Sequence, residues 1–112
     1  MPKLYVVATP IGNLSDLSPR ALETLQSVSL IAAEDTRVTG NLLRKFGVEK
    51  PMISCHRHNE ADRLEGIIFR MLEENIDVAL TTDAGTPAVS DPGDLLVREA
   101  AKAGIEVIPV PG

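Results

Sequence analysis

Five short apolar runs punctuate this chain. The first four are each followed by a polar turn and then by a segment with helical spacing. The runs are Leu4-Tyr5-Val6-Val7-Ala8, Leu30-Ile31-Ala32-Ala33, Met52-Ile53-Ser54-Cys55, Val78-Ala79-Leu80-Thr81 and Ile105 to Val110. Unbroken apolar runs of this length read as strands covered on both faces, and the first is expected to be buried on both. The segments between them read as helices. Ser18-Pro19 is an N-cap followed by proline at the first helical position, and Leu17, Ala21, Leu22, Leu25 and Val28 form an apolar stripe. Leu42, Leu43 and Phe46 belong to a second helix, stopped by Gly47. Leu64, Ile67, Ile68, Met71 and Leu72 fall at helical spacing in a third, with Asn59 as its N-cap and Asp62 in its first turn. Asp91-Pro92 opens a fourth, closed by Gly104.

Strand–helix alternation of this kind builds parallel βαβ units with right-handed crossovers. The fold class is therefore α/β: an open, mainly parallel five-stranded sheet with helices on both faces. The 112 residues form one α/β domain, residues 1–112. Only 3% of them are aromatic, so the core is aliphatic. With one cysteine, Cys55, no internal disulfide forms, which suits a reducing, cytoplasmic compartment. The sequence shows no signal peptide and no apolar run near the length of a membrane span, so no membrane association is expected. A net charge of −5 argues against holding bare nucleic acid by bulk electrostatics.

Open α/β sheets bind ligands beyond the carboxyl ends of their strands. The polar residues of this chain collect there: Thr9 to Leu14, Glu34-Asp35-Thr36-Arg37, His56 to Glu60, and Thr81 to Gly93. The opposite edge carries plain connectors such as Gln26-Ser27, Gly47 to Lys50, Asn75 and Gly104. Thr9-Pro10-Ile11-Gly12 is not a G-x-G-x-x-G fingerprint, and no P-loop is present. Glu34-Asp35-Thr36 has two readings, a substrate role or acids placed at the positive end of a helix. His56 and His58 lack a third ligand, so no metal is expected. Cys55 reads as a small buried hydrophobe. The stretch TTDAGTPAVSDPG, residues 81–93, is about twice as long as a strand-to-helix connection needs. Gly85 allows close approach of a ligand to backbone, and Pro87 and Pro92 stiffen it. Asp83 is the natural acceptor for an ammonium or a ribose hydroxyl.

Together, TPIGNLSDLSPRAL, LIAAEDTRVTGNLL, HNE, TTDAGTPAVSDPG and IPVPG resemble the N-terminal domain of the tetrapyrrole methylase-like, S-adenosylmethionine-dependent methyltransferases, along the whole chain. Relatives that methylate tetrapyrroles carry a Gly-Asp-Pro stretch where Asp83-Ala84-Gly85-Thr86-Pro87 stands here, so the resemblance is to the branch acting on RNA. It implies 2'-O-methylation of a cytidine in 16S rRNA of the small ribosomal subunit, by a homodimer that binds S-adenosylmethionine between two domains. The second, C-terminal domain is then absent from this chain, which alone is expected to be inactive. Ile11, Asp83, Ala84, Gly85, Thr86 and Pro87 are the implied cofactor contacts. Asp35 and Glu34 are the candidate bases for the ribose hydroxyl, with Thr36, Arg37 and Asn59 facing substrate. Arg37, Arg57 and His58 make this edge less acidic than the chain as a whole. Two alternatives stand beside this reading: a tetrapyrrole methylase of corrin or sirohaem type, and a non-catalytic cofactor-binding or dimerisation fragment.

Overall fold

The computed structural model describes residues 1–9, 17–56, 59–83 and 94–111, with Asp83 and Asp94 described by backbone alone. Among these residues the elements alternate: β1 (Lys3–Thr9), α1 (Pro19–Ser27), β2 (Leu30–Ala33), α2 (Thr36–Lys45), β3 (Met52–Ser54), α3 (Glu60–Glu74), β4 (Val78–Asp83), α4 (Asp94–Lys102) and β5 (Glu106–Val110). The strands form one sheet in the order β3-β2-β4-β1-β5, and every pairing is parallel.

Local chemistry sets the ends of the helices. The Ser18 hydroxyl accepts the Ala21 N–H, and Pro19 follows at the first helical position. Gly47 and Gly104 sit at φ +69° and +84°, the left-handed region glycine enters without a Cβ penalty, directly after α2 and α4. Asn75 ends α3 in the same region at φ 53°. The opening of α4 at Asp91-Pro92 lies outside the described residues.

The strand order explains the layers. The chain steps outward from β1 to β2 to β3, then returns to insert β4 between β2 and β1 and finishes on β5. With right-handed crossovers, outward and return steps place their helices on opposite faces. One core cluster accordingly joins α1 and α2 to Val7, Ile31, Ala79 and Val110. The other joins α3 and α4 to Leu4, Leu30, Ala32, Val78 and Leu80. Successive strand residues thus serve opposite faces.

Two expectations need correction, and a third is met in position alone. In β1 only Leu4 and Val7 are fully buried; Tyr5, Val6 and Ala8 are half-covered, because its outer neighbour β5 is an edge strand. Leu72 does not join the buried stripe of α3. It lies one residue, about 100°, beyond Met71 around the helix, and is 49% exposed beside Phe69 at 64%. Asn59 holds the N-cap position of α3, but its side chain makes no capping hydrogen bond there.

Candidate functional site

The return of the chain makes β4 special. Its carboxyl end feeds α4 on one face, while those of β1 and β2, its two neighbours, feed helices on the other. Connections that diverge from adjacent strands leave a crevice, the place where open α/β sheets take ligands. The register adds depth. Thr9 pairs with Asp83, whereas β2 ends at Ala33 opposite Thr81. Strands β1 and β4 therefore project past the end of β2, and the Thr9 hydroxyl donates to the Thr82 carbonyl at 2.9 Å to join their tips.

A cleft of about 190 Å³ lies in this step, lined by Thr9, Glu34, Asp35, Val38, Thr39 and Thr81. Its floor is built from buried hydroxyls. Thr39 of α2 and Thr81 of β4 place their Oγ1 atoms 3.4 Å apart, and Thr81 Oγ1 donates to the Ala32 carbonyl at 3.5 Å. The rim is acidic. Asp35 is the N-cap of α2: its Oδ1 accepts the N–H groups of Arg37 at 3.0 Å and Val38 at 3.3 Å. This is the helix-start role the sequence offered as one of two readings, and it leaves Oδ2 for other partners. Glu34 is exposed beside it and lines the same cleft.

The other expected residues fall into three groups. Thr36 and Arg37 form the first turn of α2 and flank the cleft without lining it; Arg37 is exposed. Asn59 is at the β3 side, two strands from β4. Its Oδ1 accepts the His56 N–H at 2.8 Å and its amide donates to Ser54 Oγ at 3.2 Å, which stiffens the β3–α3 turn. Those bonds engage the side chain, which makes no capping hydrogen bond to α3 although Asn59 holds the N-cap position. Asp83 ends β4, with its backbone at the mouth of the crevice. Ile11, Ala84, Gly85, Thr86 and Pro87 lie outside the described residues, as do Arg57 and His58.

Sequence reasoning missed Thr39, and put Thr81 at the ligand edge without giving it a role. A polar residue ending an apolar strand, and a threonine four residues after a helix cap, were the available signals. It placed Glu60 at the same edge but not its contact: Glu60 is 8% exposed, and its Oε2 accepts the Leu96 N–H of α4 at 3.1 Å. Cys55 is fully buried, as expected. Burial, reinforced by the Glu60 carboxylate and opposed by Arg63, pushes its thiol up to about 11.

The described lining combines negative charge with hydroxyl groups. Carboxylates favour cationic partners, and hydroxyls both donate and accept hydrogen bonds. Among the described residues no group of three or more His, Cys, Asp or Glu side chains is placed to hold a metal ion. None of the described helices is long and apolar enough to cross a membrane.

Comparison with known proteins agrees with this layout. The chain is 56% identical over 109 residues to ribosomal RNA small subunit methyltransferase I of a Synechocystis strain, and 57% identical over 109 residues to the protein of that name from Pseudomonas aeruginosa. Each alignment takes in 97% of this chain, which spans 39% and 38% of the length of those two relatives. Among solved structures, a conserved hypothetical protein from Aeropyrum pernix superposes with a TM-score of 0.74 at 21% identity, over 99% of this chain and 39% of the other. Uroporphyrin III C-methyl transferase from Thermus thermophilus gives 0.70 at 18% identity, over 98% of this chain and 48% of its own. At those identities the likeness is one of fold. The model of the tetrapyrrole (corrin/porphyrin) methylases matches residues 3–112, and the chain, with its parallel sheet and its crevice at the tip of β4, belongs to that family.

Proposed function

We propose that this chain is the N-terminal domain of an S-adenosylmethionine-dependent methyltransferase that acts on the RNA of the small ribosomal subunit, at the 2'-hydroxyl of a cytidine in 16S rRNA. The observation that carries the reading is the crevice beyond β4, floored by the Thr39 and Thr81 hydroxyls and rimmed by Glu34 and Asp35. The names and identities of the relatives support the choice of RNA. A tetrapyrrole would ask for a roomy apolar wall, and among the described residues the cleft lining is polar except for Val38.

The residues present fit S-adenosylmethionine. Its sulfonium and ammonium charges suit the carboxylate rim, and its ribose suits hydroxyl partners. When bound, it supplies a methyl group open to in-line attack. Asp83 and residues 84–87, with Ile11, are assigned to hold it. Methyl transfer of this kind depends chiefly on orientation. The ribose 2'-hydroxyl is a weak nucleophile, so a carboxylate that takes its proton as the oxygen–carbon bond forms accelerates the step. Glu34 and Asp35 are the proposed bases, Asp35 through Oδ2, since its Oδ1 is engaged by the α2 backbone. Arg37, exposed on the first turn of α2, is suited to bidentate contact with an RNA phosphate. A second domain supplies the opposite wall, and the working form is a cytoplasmic homodimer.

The test uses the longer protein that carries this chain, labelled S-adenosylmethionine and 30S subunits, with the modified nucleotide mapped. Label on the 2'-oxygen of a cytidine is expected. Arg37→Ala is expected to reduce transfer while leaving donor affinity, measured by calorimetry, unchanged. Label that enters a tetrapyrrole but not RNA overturns the proposal.

A further inference from the structure

Glu34 and Asp35 form the short turn between β2 and α2. One oxygen on β4 ties down both sides of that turn. Thr81 Oγ1 donates to the carbonyl of Ala32, just before the turn, at 3.5 Å. The same atom lies 3.4 Å from Thr39 Oγ1, one helical turn after Asp35. A hydroxyl carries one proton, so with the Thr81 proton given to Ala32 the Thr39 hydroxyl is the donor in the second contact. The backbone closes the circuit. The Thr39 N–H donates to the Asp35 carbonyl at 3.1 Å, and Ala33, which precedes Glu34, pairs with Thr81 in the β2–β4 ladder.

Thr39 and Thr81 are both buried, and valine has nearly the shape of threonine without a hydroxyl to desolvate. Packing alone therefore does not call for threonine at either place. Both contacts are longer than the usual hydroxyl pair, so they add little stability and their consequence is one of placement. Thr81 is also two residues before Asp83, on the strand whose tip is joined to β1 by the Thr9–Thr82 hydrogen bond. The carboxylates and the tip of β4 are thus held at a set spacing. We propose that Thr39 and Thr81 are positioning residues for methyl transfer, holding the Glu34–Asp35 turn against β4 through the oxygen of Thr81; the inference rests on the methyltransferase reading given above. They act through the carboxylates, so they govern the rate of transfer and not the affinity for the donor.

The experiment uses the longer protein that carries this chain, with Thr81→Val, Thr81→Ser, Thr39→Val and the double valine variant. Methyl transfer to 30S subunits at saturating donor, donor affinity by calorimetry and Tm are measured for each. A misplacement of about 1 Å can cost about 100-fold in rate, and two long contacts control part of that, so Thr81→Val is expected to lower kcat about tenfold. Its donor affinity is expected to stay within about twofold of wild type, since the carboxylate turn and not the donor loses its hold. Thr81→Ser keeps the oxygen and is expected to return kcat to within about threefold of wild type. Thr39→Val breaks one of the two links and is expected to lower kcat; it carries the comparison if Thr81→Val does not fold. The double variant is expected to be no slower than Thr81→Val, because residues that share one oxygen act as a unit. Valine variants with lowered Tm and wild-type kcat overturn the positioning role and leave the methyltransferase reading intact. Donor affinity that falls in step with kcat also overturns it, by making the hydroxyls part of the donor site. A wild-type protein that transfers no methyl group to RNA overturns the reading on which the inference rests.

Discussion

Asp35 is claimed by two roles, and substitution separates them. Its Oδ1 accepts two backbone N–H groups at the start of α2, at 3.0 and 3.3 Å. Asp35→Ala removes the acceptor and the charge together. Loss of such a cap costs about 0.5–2 kcal/mol, and loss of the charge at the positive helix end costs about 0.3–1 kcal/mol. The side chain is exposed, so the charge effect belongs at the low end and the total at about 1–2 kcal/mol. Asp35→Asn retains Oδ1 and removes only the charge, so it should lose no more than about 0.5 kcal/mol. Urea unfolding of the 112-residue chain followed by circular dichroism reads both values, with the slope expected to be unchanged. In thermal melts the alanine variant should fall by roughly 4–8 °C. An alanine variant as stable as wild type, or an asparagine variant as weak as alanine, would refute the capping argument. Because Asp35→Asn leaves the helix intact, its effect on methyl transfer in the longer protein then reports the charge alone.

Met71 is fully buried between α3 and the sheet, so Met71→Ala should cost about 2–5 kcal/mol in the same urea assay; a loss below 1 kcal/mol would contradict its place in the core. Cys55 gives a pH test. Its thiol is raised from 9.0 to about 11 by burial, with a contribution from Glu60, so the folded state holds a proton that the unfolded chain releases first. The associated stability is fully present below pH 9 and is lost as pH climbs towards about 11, an effect of order 2–3 kcal/mol. Cys55→Ala should remove this alkaline slope; equal slopes in the two proteins would sink the assignment.

Much of the fold is legible in the chain because it is written locally. Ser18-Pro19 starts α1, Gly47 follows α2, and Leu30–Ala33 is a strand to the residue, since each depends on backbone sterics and hydrogen bonds within a few positions. Gathering Glu34 and Asp35 at a carboxyl edge also follows from strand–helix alternation alone. Periodicity failed at Leu72, where the stripe was wider than the surface available to bury it. Asn59 stands at the N-cap position as read, but its side chain bonds Ser54 and His56 and not its own helix.

The insertion of β4 between β2 and β1 was not legible, because strand order is settled by which faces pack, a property of no single segment. From that order come the crevice, the 3.4 Å approach of Thr39 to Thr81, and the reach of Glu60 to Leu96. The last two pairs are 42 and 36 residues apart in sequence. The sequence alone determined the elements, their caps and the edge that carries the chemistry, because these arise from contacts a few residues long. Only the tertiary structure decided which hydroxyls and carboxylates meet, because contacts between residues so far apart form only once the sheet has brought their strands and helices together.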